Sequence, residues 1–250
     1  MKQLHLLTRD GRLNSDAARK VKQVKHLVNF MEPGLEAVFA QHQDPVIVDF
    51  GAGKSYLGFF LYDLFVRKYA KGRVICVESR QELVDQASQI AKDCGFERME
   101  FICSTIENSL NLLPSEIHVA TALHACDTAT DDVLAMAVSR QVPRVYFVPC
   151  CQAELSQKIN TQKVEKSLLP LLRHPHHRRE FMSHLTNVMR GLYLESCGYK
   201  VRESELVGWE HSLKNEIWIC EKHQQSNSLA KRDLESLIEK FGVSPKLVKF

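Results

Sequence analysis

Residues 46–58, Val-Ile-Val-Asp-Phe-Gly-Ala-Gly-Lys-Ser-Tyr-Leu-Gly, constrain this chain more than any other stretch. Val46, Ile47 and Val48 are β-branched and lead into Asp49 and Phe50, which reads as a buried strand. Gly51 and Gly53 follow one residue apart, and Leu57 to Phe65 reads as a helix. A strand, a tight turn and a helix N-terminus together receive ligands that carry phosphate, ribose or an amino acid. Backbone approaches the ligand where side chains are missing, and N–H groups and the helix dipole face it. Which ligand this turn takes has to be decided by the rest of the chain.

Strand-like and helix-like segments alternate after this turn. The strand candidates are Val46–Phe50, Arg73–Val77, Met99–Cys103, Ile117–Leu123 and Val145–Pro149, with helical segments such as Gln81–Asp93 and Asp131–Ser139 between them. This order argues for a parallel sheet with helices on both faces. Tyr199–Val207 and Glu216–Glu221 are joined by the short link Gly208–Asn215, as in an antiparallel hairpin. The expected fold is therefore α/β, a Rossmann-like seven-stranded sheet, mostly parallel with an antiparallel last strand. A dinucleotide dehydrogenase would more often end on a sixth parallel strand.

Residues 1–43 are expected to form a helical extension. Asn14, Ser15 and Asp16 are N-cap types, and Val21, Val24, Leu27, Val28 and Met31 recur at helical spacing. Pro33-Gly34 is expected to break this run before a second helix, Leu35 to His42. The main domain covers 44–222, and within it 156–190 is expected to form a basic lid over the active site. Pro170 and His174-Pro175-His176-His177-Arg178-Arg179 are expected to interrupt the helices of this segment. A tail, 223–250, carries an amphipathic helix from Leu229 to Phe241.

The net charge of +3 is unevenly placed. Residues 1–30 hold seven Lys or Arg against two Asp, residues 156–190 hold seven against two Glu, and the remainder is acidic. Two basic segments on an acidic body suggest an anionic partner, RNA first, although solvated helix faces would look the same. With no apolar run near the ~20 residues of a membrane span, a cytoplasmic location is expected. The eight cysteines are scattered, some inside strand-like runs, which suits a reducing compartment. The histidines of 174–177 match no metal-ligand spacing, so no metal is expected.

Three ligands compete for the glycine turn. Gly53-Lys54-Ser55 looks like the end of a triphosphate loop, but the glycine required five residues earlier is Val48, inside the strand. A dinucleotide turn needs a third glycine where Tyr56 stands. S-adenosylmethionine has no pyrophosphate, so a shorter turn suffices. Its turn carries an acidic residue before the glycines, here Asp49. The second strand should end in a carboxylate for the ribose hydroxyls, here Glu78. The third should lead to residues beside the adenine, here Thr105 and Ile106, with Leu123 at the end of the fourth. Asp49, Gly51, Gly53, Glu78, Thr105, Ile106 and Leu123 are thus the expected cofactor-binding residues.

The segments VDFGAGKSYLG, LHACDTATD and VPCCQ resemble a methyltransferase-domain family that groups bacterial and eukaryotic methyltransferase-like proteins. That family is more distantly similar to tRNA ribose 2′-O-methyltransferases, whose corresponding motifs read H-L-C-G-x-x-T-D and C-C-H-H. Here Asp127 stands in place of that glycine, and Gln152-Ala153 in place of the two histidines. The resemblance spans roughly 20–222 and implies a methyltransferase, with RNA and tRNA in particular as the substrate class. A small molecule or protein is the alternative substrate, and a non-catalytic cofactor-binding subunit the alternative role.

Three residues after the fourth and fifth strands are the catalytic candidates. His124 is a general base or a ring beside the cofactor. Asp127 orients that histidine, accepts a proton, or serves as a turn residue. Cys150, paired with Asp127, would match the nucleophile and partner of RNA cytosine-C5 methyltransferases. Cys150 and Cys151 read more readily as small residues lining the cofactor pocket, where bulk is excluded. His211 and Asn215, between the last two strands, stand at the rim expected to face substrate.

Overall fold

A computed structural model describes residues 15–123, 125, 127–149, 152–205 and 216–248. The chain opens with α1 (Ser15–Gln41), which buries Leu27, Val28, Met31, Leu35, Val38 and Phe39 along one face. Pro33 lies inside this helix and does not end it. Losing one helical hydrogen bond and accommodating the ring costs about 3 kcal/mol. Each fully buried large apolar side chain returns about 1.5–3 kcal/mol, so the packed face outweighs the break expected at Pro33-Gly34.

The elements then follow as β1 (Val46–Phe50), α2 (Tyr56–Leu61), a π-helical turn (Tyr62–Val66), α3 (Arg67–Tyr69) and β2 (Arg73–Glu78). Next come α4 (Gln81–Asp93), β3 (Met99–Cys103), α5 (Ile106–Ser109), β4 (Val119–Ala122), α6 (Thr128–Ser139) and β5 (Arg144–Phe147). The last part holds α7 (Glu154–Lys158), two short 3₁₀ turns, α8 (Leu169–Leu172), α9 (Pro175–Ser196), β6 (Tyr199–Glu205), β7 (Glu216–Lys222) and α10 (Ser228–Phe241). The fourth strand is shorter than expected at its start. There the His118 ring turns inward, and its Nδ1 accepts the Val46 N–H at 3.1 Å.

The described strands form one sheet in the order β3-β2-β1-β4-β5-β7-β6. Strands β1 to β5 pair in parallel, and β7 runs antiparallel to both β5 and β6. The mostly parallel sheet with an antiparallel last strand, expected from the sequence, is present. All five residues of β1 are buried, as expected for a central strand covered on both faces.

One face packs Ile47, Val74 and Cys76 under α1 and α2, and the other packs Val48, Phe50 and Val145 under α6. A third apolar cluster lies away from the sheet. Leu155, Leu172, Met182, Leu185 and Met189 meet Leu234, Phe241, Val243 and Val248 there. The basic segment and the C-terminal tail therefore share a core. Pro170 falls within α8, and His174 is the N-cap residue of α9, so the cluster His176 to Arg179 forms the first turn of a helix, not a break in one. Proline in the first turn is tolerated because its missing N–H has no helical partner in any case.

Gly34 shows how closely α1 approaches the sheet. A Cβ there would lie 2.0 Å from Oη of Tyr146, a β5 residue only 1% exposed. Gly34→Ala, which in an exposed helix gains about 1 kcal/mol, should here lower stability by about 1–3 kcal/mol. Adding Tyr146→Phe removes the colliding oxygen, leaving the nearest ring carbon at 3.4 Å, and should recover most of the loss. Thermal melts of the two single variants and the pair will check this.

Candidate functional site

The glycine turn closes the C-terminal end of β1. Gly51 and Gly53 have φ of 64° and 57°, values that glycine adopts without strain. Ser55 also has positive φ, 56°, and caps α2 with its side chain buried beneath the turn. The Gly53 N–H donates to Glu78 Oε2 at 2.8 Å. With the Ala52 N–H donating to the Val77 carbonyl at 3.0 Å, two bonds join the turn to the end of β2.

Glu78 is 6% exposed and collects further donors from Arg80. The Arg80 N–H reaches Oε1 at 3.0 Å, its Nε reaches Oε1 at 2.9 Å, and one terminal nitrogen reaches Oε2 at 3.3 Å. Burial alone would raise the Glu78 pKa. The Arg80 side chain, the Arg80 N–H and the Gly53 N–H outweigh it and bring the value down to about 2. Glu78 is a fixed anion at neutral pH.

Asp49 behaves in the opposite way. It lies in β1 beside Cys76 and Thr121 and is 2% exposed. Burial pushes its pKa up to about 7, although the Thr121 hydroxyl donates to Oδ1 at 2.6 Å. The two carboxyl groups beside the turn are thus shifted in opposite directions.

The Ser104 N–H donates to the Glu78 carbonyl at 3.0 Å, so the segment after β3 begins beside Glu78. Thr105 caps α5, its hydroxyl accepting the Asn108 N–H at 3.3 Å. Ile106 packs in the cluster that holds Phe50 and Val77, and Leu123 in the cluster that holds Ile47 and Leu57. Asp49, Gly51, Gly53 and Glu78 are thus gathered at one turn, Thr105 and Ile106 flank it beyond β2, and Leu123 follows the neighbouring β4. A Glu78 carboxylate held ionised is an acceptor suited to a ribose diol, and its bond from the Gly53 N–H keeps it at the turn. These residues fit S-adenosylmethionine, which supplies a methyl group on a positively charged sulfur.

His124, Cys150, Cys151, His211 and Asn215 lie outside the described residues. Asp127 is described, and it occupies the N-cap position of α6 with φ 52° and ψ −123°. That backbone belongs to glycine and costs another residue about 1–3 kcal/mol. Asp127 Oδ1 caps a different helix, α7, by accepting the N–H groups of Ala153 at 3.1 Å and Glu154 at 3.2 Å. Its carbonyl accepts from Arg190 at 2.8 Å. Helix α6 starts at Thr128, earlier than expected, and Thr130 donates to the Ala125 carbonyl in place of capping.

Arg190 is a residue that the sequence reading left among the surface charges. It is wholly buried on α9 and donates to both carboxylate oxygens of Asp131, at 2.8 and 3.1 Å. Asn187 extends the network. Its Oδ1 accepts from Arg190 at 3.4 Å and from Gln152 at 3.3 Å, and its amide donates to Glu216 at 2.9 Å. Ser183 donates to Gln152 at 2.7 Å. Only the i, i+3/i+4 spacing of Ser183, Asn187 and Arg190 on α9 hinted that they share a face.

A second polar group sits at the opposite end of the sheet. Among the described residues, His42, Glu116 and His118 bring ligand atoms within 4.8 Å of one another. Because His118 Nδ1 accepts the Val46 N–H, the ring proton sits on Nε2, 3.4 Å from Glu116. A metal ion on Nε2 would have to displace that proton, so the cluster is better suited to hydrogen bonding.

The charge states generate a paired prediction. An Asp49 pKa raised from 3.8 to about 7 means the fold prefers the neutral acid, so stability falls as pH rises across that interval and levels off above it. Asp49→Asn should therefore melt at a higher temperature than the parent at pH 8, with the difference vanishing near pH 4. Glu78→Ala should weaken S-adenosylhomocysteine binding by about 1.5–3 kcal/mol in calorimetry at pH 7, the worth of hydrogen bonds to a charged group.

Comparison with known proteins agrees with this geometry. A family model described as a methyltransferase domain matches residues 19–158. The chain is 26% identical over 157 residues to the glutathione S-transferase C-terminal domain-containing protein of Xenopus laevis, covering 61% of this chain and 22% of that protein. It is 26% identical over 237 residues to the Homo sapiens protein of the same description, covering 84% of this chain and 34% of that protein. The chain thus spans 22% to 34% of the length of these two relatives. A putative rRNA-methylase from Clostridium thermocellum shares the fold with a TM-score of 0.50 at 13% identity, over 78% of this chain and 97% of that one. Since the family match takes in more than half of the 250 residues, the chain belongs to the S-adenosylmethionine-dependent methyltransferase family.

Proposed function

We propose that the chain transfers a methyl group from S-adenosylmethionine to RNA. The observation that carries this reading is the course of α9. Its first turn presents His176, His177 and Arg179 to solvent, with Arg173 and His174 exposed just before it. Ser183, four residues after Arg179, donates to Gln152 behind β5. At 1.5 Å per residue, the basic turn stands about 6 Å along the helix from a residue that holds the post-β5 segment. A phosphate chain on that turn would bring a nucleotide toward the ends of β4 and β5.

Not all of the basic segment serves this purpose. Arg190 is buried against Asp131, Lys158 is paired with Glu154 at 2.6 Å, and Arg179, though exposed, has Glu180 beside it at 3.3 Å. Lys22 and Lys25 are exposed on α1 and offer a second contact. His124 and Cys150 follow β4 and β5 in sequence and are the proposed proton acceptor and the proposed nucleophile or pocket-lining thiol. Among the described residues no helix is long and apolar enough to cross a membrane.

Labelled S-adenosylmethionine incubated with separate RNA, protein and metabolite pools tests the reading, and label in the RNA pool alone is expected. Affinity for RNA should fall steeply as salt rises. Arg173→Ala combined with Arg179→Ala should flatten the log–log slope by about 0.7–0.9 for each phosphate that is no longer neutralised. Label in protein or metabolites, or RNA binding indifferent to salt, would overturn it.

A further inference from the structure

We propose that Asp127 is a positioning residue, a latch that ties the segment after β5 to the segment after β4, with Arg190 of α9 holding it shut. The consequence for turnover rests on the methyl-transfer reading; the geometry does not.

Asp127 holds a backbone conformation that glycine would occupy more easily, at φ 52° and ψ −123°. A strained residue persists where its side chain does something glycine cannot. Here Oδ1 receives the N–H groups of Ala153 and Glu154, the first donors of α7. Those donors have no partner within their own helix, and a carboxylate is their strongest acceptor. The strained turn is held from behind, because Arg190 binds the Asp127 carbonyl at 2.8 Å while its other donors engage Asp131.

The same segment after β5 is gripped on its other side by α9. Gln152 is 7% exposed and lies between Ser183 and Asn187. Residues 152–154 are therefore fixed by Asp127 from the β4 side and by α9 from the other, directly after the Cys150-Cys151 pair in sequence. With Oδ1 taken up by two backbone donors, Oδ2 is the oxygen left to take a proton from a substrate. Positioning and proton transfer then predict opposite behaviour for two small substitutions.

Asp127→Asn keeps an oxygen that accepts both N–H groups, and asparagine has the same shape as aspartate, so the backbone meets no new strain. Asp127→Gly relieves the backbone and removes the latch. Neither forces the turn into new strain, so both variants should fold. Three measurements are made on the full chain: amide exchange of the peptide covering 150–158, calorimetric binding of S-adenosylhomocysteine, and steady-state methyl transfer across pH. In Asp127→Gly, exchange should speed up and kcat should fall about tenfold or more, with cofactor affinity changed by less than about threefold, as for misplacement of reacting groups. Asp127→Asn should restore slow exchange and recover most of the lost kcat with an unaltered pH profile.

An Asn variant as inactive as the Gly variant while its exchange stays slow would make Asp127 a proton acceptor and overturn the proposal. Unchanged exchange in the Gly variant would overturn it equally. If the parent chain labels no pool at all, the substrate reading fails, and the exchange comparison still decides whether the latch exists.

Discussion

Arg190 has no exposed surface, and a guanidinium out of water must be met by a carboxylate and by acceptors for its remaining donors. Asp131, the Asp127 carbonyl and Asn187 supply them. Removing one partner of such a pair typically costs about 3–5 kcal/mol, since the other is left buried and charged. That requirement holds α9 against α6. From α9 follow the grip on Gln152 and the packing of Met182 and Leu185 with residues of α10. One charge pair 59 residues apart in sequence thus ties α9 to α6.

The glycine turn uses charge differently. Glu78 is held ionised by three groups that donate to it, while Asp49, with one hydroxyl for company, is held near neutrality. Donors and depth both contribute, since each side chain has little exposed surface but Asp49 lies deep inside the protein while Glu78 lies close under its surface. An ionised Glu78 keeps full acceptor strength for hydroxyl groups. Asp49 instead sits at the margin where an approaching cation would draw out its proton.

Much of this was legible in the sequence where local chemistry decides structure. The run Val46–Phe50, the carboxylate at Glu78 and the helix Gln81–Asp93 stand where period and residue type put them. The mostly parallel sheet and its antiparallel last strand were legible too, because strand and helix patterns alternate before the closing hairpin, but the order of the strands across the sheet was not. Pro33 misled because its cost is local whereas the packing that outweighs it comes from β5 and α2. His176 to Arg179 looked like a break because proline and histidine are poor helix formers, yet proline is acceptable in the first turn. Arg190 was not legible, since nothing near it in sequence separates a buried arginine from a solvated one. Asp127 was noticed as a departure from a glycine motif, but its partners lie behind another strand.

The third apolar cluster has a consequence for where this protein can be divided. The stretch by which the chain is recognised, residues 19–158, stops before α9, the hairpin and α10. Those elements supply Arg190, the neighbour of β5 in the sheet, and the partners of Leu155. A fragment cut at residue 158 would leave β5 as a bare edge of buried apolar residues, an invitation to pair with a second chain. Kinship and self-sufficiency therefore have different boundaries here: a short stretch is enough to identify a relative, and a much longer one is needed to stand alone in water.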